Sequence, residues 1–284
     1  MLNHKIDFSV IITATNANPN GDPLNGNRPR ETFDGCGEIS DVCIKRKIRN
    51  RLQDMGEKIF VQSDDRCDDG FDSLHERASQ NASLKSISNG KKTDRSAFAQ
   101  RACAEWIDVR SFGQVFAFKG DEVSVGVRGP VSIQQAISVG PVDIVSMQIT
   151  KSVNGESGKE SKASDTMGMK HRVSFGLYVI HGSINCQLAE KTGFSDEDAV
   201  KIKEALCTLF ENDASSARPE GSMEVCRVYW WEHSCKTPKV SSAKLHRALK
   251  IKLKEGVSTP HSFYDYDITL AEIEGVKPEI IDLM

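Results

Sequence analysis

An α+β fold is predicted for this 284-residue chain. Three observations carry the prediction. β-prone and helical segments follow one another as strand, helix, strands, helix, strand instead of a strict βα repeat. Two helix signals combine a polar cap with an apolar stripe, and polar, aperiodic stretches interrupt the pattern around residues 60–95 and 150–164. Such an order suits a ferredoxin-like or RNA-recognition-motif core carrying insertions.

The opening strand spans Ile6 to Thr15; Ser9 and Thr13 break its apolar run, as in a strand buried on one side. Asn16 to Arg30 follows, with Asn-Pro, Asn-Gly, Asp-Pro and Asn-Gly-Asn in sequence. These residues force turns and tolerate positive φ, so backbone amides here can face an anion instead of pairing in a ladder. A helix then starts at Ser40 or Asp41, with Ile44, Ile48 and Leu52 at buried spacing. It packs five cations, Lys45, Arg46, Lys47, Arg49 and Arg51, into seven consecutive positions. Lys45, Arg46 and Arg49 fall within about 100° of arc on one flank. A charge run alone reads as a solvated face, but strand, amide-rich loop and basic helix start together resemble the phosphate cradles found at helix N-termini. Neither a Walker loop nor a dinucleotide fingerprint is present.

The stretch from 60 to 95 holds Asp64, Asp65, Asp68, Asp69 and Asp72 without calcium-loop spacing, and reads as a solvated insertion. A helix is expected from Arg95 to Ile107, then β-rich sequence over Val115–Phe118, Val123–Val127, Val131–Val139 and Val142–Ile149. Two β-prone arms around the polar segment 150–164 predict a long hairpin. Its base carries Lys151, Lys170, His171 and Arg172 beside Met147, Met167 and Met169. Methionines usually fill cores; beside cations on an exposed hairpin they can act as wedges against nucleobases. Ser195-Asp-Glu-Asp198 opens a capped helix to about Glu211, Met223–Trp231 suits a strand, and Ala243–Lys254 reads as a basic amphipathic helix.

Composition narrows the function classes. The net charge of −3 makes the cationic helix a local anion site on a surface that otherwise repels nucleic acid. Mean hydropathy of −0.40 and the lack of a long apolar run argue against a membrane span, and no cleavable signal is visible, so a cytoplasmic location is expected. The eight cysteines form no Cys-x-x-Cys pair and read as free thiols in a reducing compartment.

Asn18-Pro-Asn-Gly-Asp-Pro23, Gly26-Asn27, Arg30, Ser40 to Asn50, Asp108-Val-Arg-Ser-Phe-Gly113, Arg128-Gly-Pro-Val131, Thr166-Met-Gly-Met-Lys-His171 and Phe175-Gly-Leu-Tyr178 occur in an order that resembles the backbone subunit of type I-C CRISPR Cascade, a Csd-type crRNA-binding protein of the RAMP family. The resemblance runs from residue 6 to about 186. Where it would place a basic residue between Gly168 and Lys170, this chain has Met169.

The resemblance implies a palm (1–59, 96–145 and 172–284), a fingers insertion (60–95) and a thumb hairpin (146–171). It also implies a non-catalytic protein without cofactor or metal. Several copies would line one crRNA, present it to a target DNA strand, and meet the crRNA-processing, large and small subunits of the complex. Palm contacts would be Asn20, Gly21, Arg28, Arg30, Ser40, Lys45, Arg46 and Arg49; thumb contacts would be Met147, Lys151, Met167, Lys170 and His171, with Arg172 a further contact directly after the thumb. Guide binding of this type needs cations and amides matched to phosphates, because base pairing selects the sequence. The competing reading is an endoribonuclease of similar fold that processes CRISPR RNA with His171, His75 or His181 as general base. No histidine stands in a recognisable sequence pairing with a second acid or base, which favours the scaffold.

Overall fold

The computed structural model describes residues 1–87, 93–118, 124–150 and 167–284. Strand β1 (Ile6–Ala17) leads through a short ladder, β2 (Gly21–Asp22) with β3 (Arg28–Pro29), to β4 (Cys36–Ile39) and helix α1 (Asp41–Asp54). The chain then makes α2 (Leu74–Gln80), α3 (Ala82–Lys85), α4 (Arg95–Glu105), α5 (Ile107–Phe112) and the paired strands β5 (Gly113–Phe116) and β6 (Val125–Arg128). It returns through β7 (Val131–Ile133), β8 (Ala136–Pro141), β9 (Ile144–Thr150) and the 18-residue β10 (Met167–Ile184). After α6 (Cys186–Thr192), α7 (Asp196–Cys207) and β11 (Met223–Glu232) come α8 (Ser242–Ala248), β12 (Leu249–Leu253), β13 (Tyr266–Leu270) and β14 (Pro278–Asp282).

The main sheet runs β14-β11-β1-β10-β8-β4. Its inner order β11-β1-β10-β8, with α1 connecting the first strand toward β8 and α7 connecting β10 to β11, is the predicted ferredoxin-like arrangement. Ser40 caps α1 by accepting from the Cys43 amide, and Ser195 with Asp198 forms a capping box on α7. Both helices bury their stripes on one face of the sheet: Ile44, Ile48 and Leu52 meet Ile202, Leu206 and Leu209 in the main core. Each such side chain contributes about 1.5–3 kcal/mol by leaving water.

The other face of the sheet is also covered, which corrects the reading of β1 as buried on one side only. Ile11, Leu177, Tyr229 and Trp231 pack under Leu245, Leu249, Phe263, Tyr266 and Val276 from the C-terminal segment. Ser9 and Thr13 therefore point into an interior and take partners there, His181 at 2.7 Å and Cys226 at 3.7 Å. The basic amphipathic helix expected over Ala243–Lys254 ends at Ala248; Leu249–Leu253 is a strand paired with β13, because Leu249, Ile251 and Leu253 alternate with lysines.

The insertion shares a core of its own with the segment from Ala102 to Val125, which the resemblance assigns to the palm. Phe60, Ala78, Leu84, Ala102, Cys103, Trp106, Val109, Phe116 and Val125 form a third cluster, so the Asp-rich stretch is more than a solvated loop. Its Asp69 carboxylate holds Arg77, which also donates to the Phe60 carbonyl at 3.0 Å. The helix predicted over Arg95–Ile107 is split at Trp106, whose backbone is extended while its ring packs against Phe60.

Arg110 grips Asp198 through two bonds of 3.0 and 2.8 Å, tying α5 to the start of α7. Burial alone would raise the Asp198 pKa, but the bonds from Arg110 and the Ser195 amide hold it below the ordinary carboxylate value. The stabilisation is therefore complete above the unfolded-state value of about 3.9 and is lost as pH falls through the lower folded-state value. Asp198→Asn should cost about 3 kcal/mol at neutral pH in urea unfolding. As pH falls below about 3.9, the variant should lose less stability than the wild type.

Candidate nucleic-acid interface

The loop after β1 is built from the turns its sequence calls for. Asn16, Gly26 and Asn27 adopt positive φ, and a Cβ on Gly21 would lie 1.9 Å from Asn27 Oδ1. Asn18 donates to the Asn27 carbonyl at 2.7 Å, closing the loop on itself. Asn20 Oδ1 accepts from both the amide and the hydroxyl of Ser40, at 2.9 and 2.8 Å. Loop and helix start are thus one rigid unit, and the Ser40 and Cys43 amides are satisfied from within. Arg30 approaches Asp22 at 3.5 Å and Arg28 approaches Glu31 at 3.8 Å; both guanidinium groups stay about one third exposed.

The cationic flank of α1 is mostly turned to structural use. Arg49 is only 12% exposed and donates to Asp108 at 2.9 Å while lying over the Phe112 ring. The fully buried Asp108 carboxylate also accepts from the Phe60 and Val61 amides at 2.7 and 3.1 Å. Arg46 donates to the Val61 carbonyl and to Asn50, and burial lowers its pKa, as does the neighbouring Arg49. Lys47 is buried against Asp213, and Arg51 bonds Thr208 and Glu211. Lys45 is 26% exposed and pairs with Asp41, one turn earlier on the helix, at 2.8 Å.

The hairpin arms β9 and β10 pair from Ile144↔Val173 to Met167↔Thr150. Directly opposed residues share a face. Met147 and Lys170 therefore stand with Val145, Arg172 and Ile149 on one side, and Met167 and His171 with Ser146, Gln148 and Met169 on the other. Val145, Met147, Ile149, Met167 and Met169 are all exposed, a concentration of apolar side chains that scattered surface residues do not account for. Lys151 lies outside the described residues.

Ser146, which no sequence signal singles out, joins loop and hairpin. Its hydroxyl accepts from Arg28 Nη1 at 3.1 Å and shares a hydrogen bond with His171 Nδ1 at 2.8 Å. Arg28 and His171 thereby meet at the hairpin base, while Lys170 and Arg172 flank His171 in the strand and face the other side; Arg172 Nε is buried without a partner among the described residues. Of the predicted contacts, the structure brings together Asn20, Gly21 and Ser40, and separately Arg28 with His171. It sets Arg46 and Arg49 against the insertion. Of the histidines weighed as bases, His181 is half-buried, stacked on His246 at 4.5 Å, and burial pushes its pKa down to about 4.

Comparison with known proteins bears on the family and the fold. The family model of CRISPR-associated protein Cas7 matches residues 4–271. A CRISPR-associated protein Cas7 of Haloferax volcanii is 24% identical over 235 residues, covering 75% of this chain and 66% of that protein. The chain thus spans just under two thirds of that relative's length. Among solved structures, a chain of a CRISPR RNA-guided surveillance complex, pre-nicking, superposes with a TM-score of 0.52 at 16% identity, covering 83% of this chain and 78% of that one. That likeness is one of fold.

Arg49→Met leaves the Asp108 carboxylate buried and uncompensated, and should cost about 3–5 kcal/mol in denaturant unfolding. Lys45→Met, which removes an exposed pair, should cost less than about 1 kcal/mol in the same measurement.

Proposed function

Because the chain belongs to the CRISPR-associated protein Cas7 family, we propose that it is the crRNA-binding backbone subunit of a surveillance complex, of type I-C, in which copies line one guide and expose it to a target DNA strand. The observation that carries this reading is the Arg28–Ser146–His171 junction, where a cationic loop meets a hairpin bearing exposed methionines. Phosphates of the guide would lie against Arg28, Arg30, Lys45, Lys170 and Arg172, with the Gly21 loop close by. Met147 and Met167, on opposite faces of the hairpin, would replace part of the stacking that a displaced base loses, a loss of a few kcal/mol.

The subunit performs no chemistry on this reading and works in the cytoplasm with the guide-processing, large and small subunits of its complex. The covered sheet face supports it. Open RNA-recognition motifs stack bases on that surface, whereas here Tyr229 and Trp231 lie under the C-terminal segment. RNA is left with the loop and hairpin. His171 serves as a contact, its Nδ1 already engaged by Ser146.

Arg28→Glu with Lys170→Glu should weaken binding of crRNA whatever its sequence, and reduce the slope of log affinity against log salt by about 0.7 for each phosphate no longer engaged. Filter binding across a salt series measures both. An unaltered slope, or guide cleavage by the wild type that disappears in His171→Ala, would refute the scaffold reading.

A further inference from the structure

The cations that the guide site leaves unused gather in the C-terminal layer. Between residues 239 and 254 the chain has six cations, Lys239, Lys244, Arg247, Lys250, Lys252 and Lys254, and no acid, in a protein of net charge −3. All six are exposed. The fold places four of them on one element pair, α8 and β12, with Lys239 before it and Lys254 directly after it. Lys244 and Arg247 are three apart on α8, whose Leu245, His246 and Ala248 are buried, so both face outward from the same side. Lys250 and Lys252 alternate along β12 with Ile251, which packs inward against the second core with its partner Ile268. Successive lysines on that face are therefore about 6.6 Å apart along the strand. That separation is close to the spacing of phosphates on an extended single strand.

Acidic neighbours offset the strip only in part: Asp267 shares a face with Lys252, and Asp265 lies close enough to Lys254 to feel its charge. Asp267 stands opposite Lys252 without forming an ion pair within 4 Å, and Asp265 is engaged by the His261 and Ser262 amides while Lys254 donates its own amide to the Asp265 carbonyl. Glu255 follows at the end of the strip. Beside these cations Tyr264 is 62% exposed, an aromatic of the kind on which unpaired bases stack. α8 and β12 cover the sheet face opposite α1 and α7, so the strip is distinct from the helix start and amide loop of the guide site.

We propose that this strip, running from Lys244 and Arg247 over Lys250, Lys252 and Lys254 to Tyr264, is a second nucleic-acid surface that holds the sugar-phosphate backbone of an extended single strand. Repeated along an array of copies, it would offer a continuous cationic track outside the guide. Charge, register and exposure support this surface whether or not the guide reading holds.

The test uses the full chain and a fluorescein-labelled oligothymidylate, read by anisotropy across a salt series, with a crRNA titration in parallel. Lys250→Glu, Lys252→Glu and Lys254→Glu combined should weaken oligothymidylate binding at least tenfold and lower its salt slope by about 2, at about 0.7 per contact on single strands, with crRNA affinity nearly kept. Tyr264→Ala should weaken it without changing the slope. Arg28→Glu with Lys170→Glu should do the reverse, lowering crRNA affinity and sparing oligothymidylate. Unchanged oligothymidylate affinity in the triple variant would overturn the proposal. Equal weakening of both ligands would also overturn it, since the two surfaces would then be one. A triple variant that binds oligothymidylate normally but no longer self-associates at low salt would reassign the strip to a protein contact.

Discussion

The Asp108 carboxylate is the constraint on which much of the molecule depends. It is fully enclosed, and Arg49 and two backbone amides converge on it; those partners come from α1 and from the first residues of the insertion. The contact therefore fixes how the insertion sits on the palm. The rest of Asp108-Val-Arg-Ser-Phe-Gly113 serves the same end. Arg110 reaches to α7, Phe112 lies under the Arg49 guanidinium at 5.0 Å, and Gly113, at φ 82°, approaches the Val127 carbonyl so closely that a Cβ would lie 2.4 Å away. A motif that serves to recognise the family is in this chain a joint between two cores.

A second set of buried polar groups fastens the C-terminal layer to the sheet. His233 bonds Asp7 at 2.7 Å, Lys5 adds 3.2 Å, and Lys5 also donates to Ser242 at 2.6 Å. Nearby, His246 meets the Gly182 carbonyl at 3.2 Å beneath its stacked neighbour His181. These histidines are occupied in holding a layer that closes the sheet surface, which is why the only acid–histidine pairing among them lies far from solvent. The layer leaves the sheet unable to act as a stacking platform and moves any nucleic-acid contact to the periphery.

The parts of the fold that the sequence made legible are those fixed by local physics. Ser40 and the Ser195–Asp198 box declare helix starts, and the stripe Ile44, Ile48, Leu52 declares the buried edge of α1, because caps and periodicity act within a few residues. The direction of the α1 cations was not legible. Which flank meets solvent depends on where Asp108 and Asp213 are carried by chain far away, and one-helix geometry cannot register that. The insertion core was hidden for the same reason, its aromatic residues Phe60, Trp106 and Phe116 being scattered among polar segments. Over Leu249–Leu253 the lysines read as one face of a helix, but alternation with Leu249, Ile251 and Leu253 has period two, and the pairing with β13 decides the matter. For the site, the turn chemistry of the loop and the charged base of the hairpin were visible; the link through Ser146 was not, since a serine in a strand carries no signal of its own.

Strand β10 begins among exposed methionines at Met167 and ends in the main core at Ile184 without a break. Its far half is clamped between β1 and the strands β7 and β8, while its near half, among the described residues, is paired in the sheet with β9 alone. The projecting arm is thus a cantilever whose anchor is the palm itself, and its aim is set by side chains such as Val173 and Leu177 that touch no ligand. In a row of copies, the repeat distance would then be written into the stiffness of one strand, and a conservative change deep in the anchor would alter the pitch of the whole row while leaving every exposed contact chemically intact.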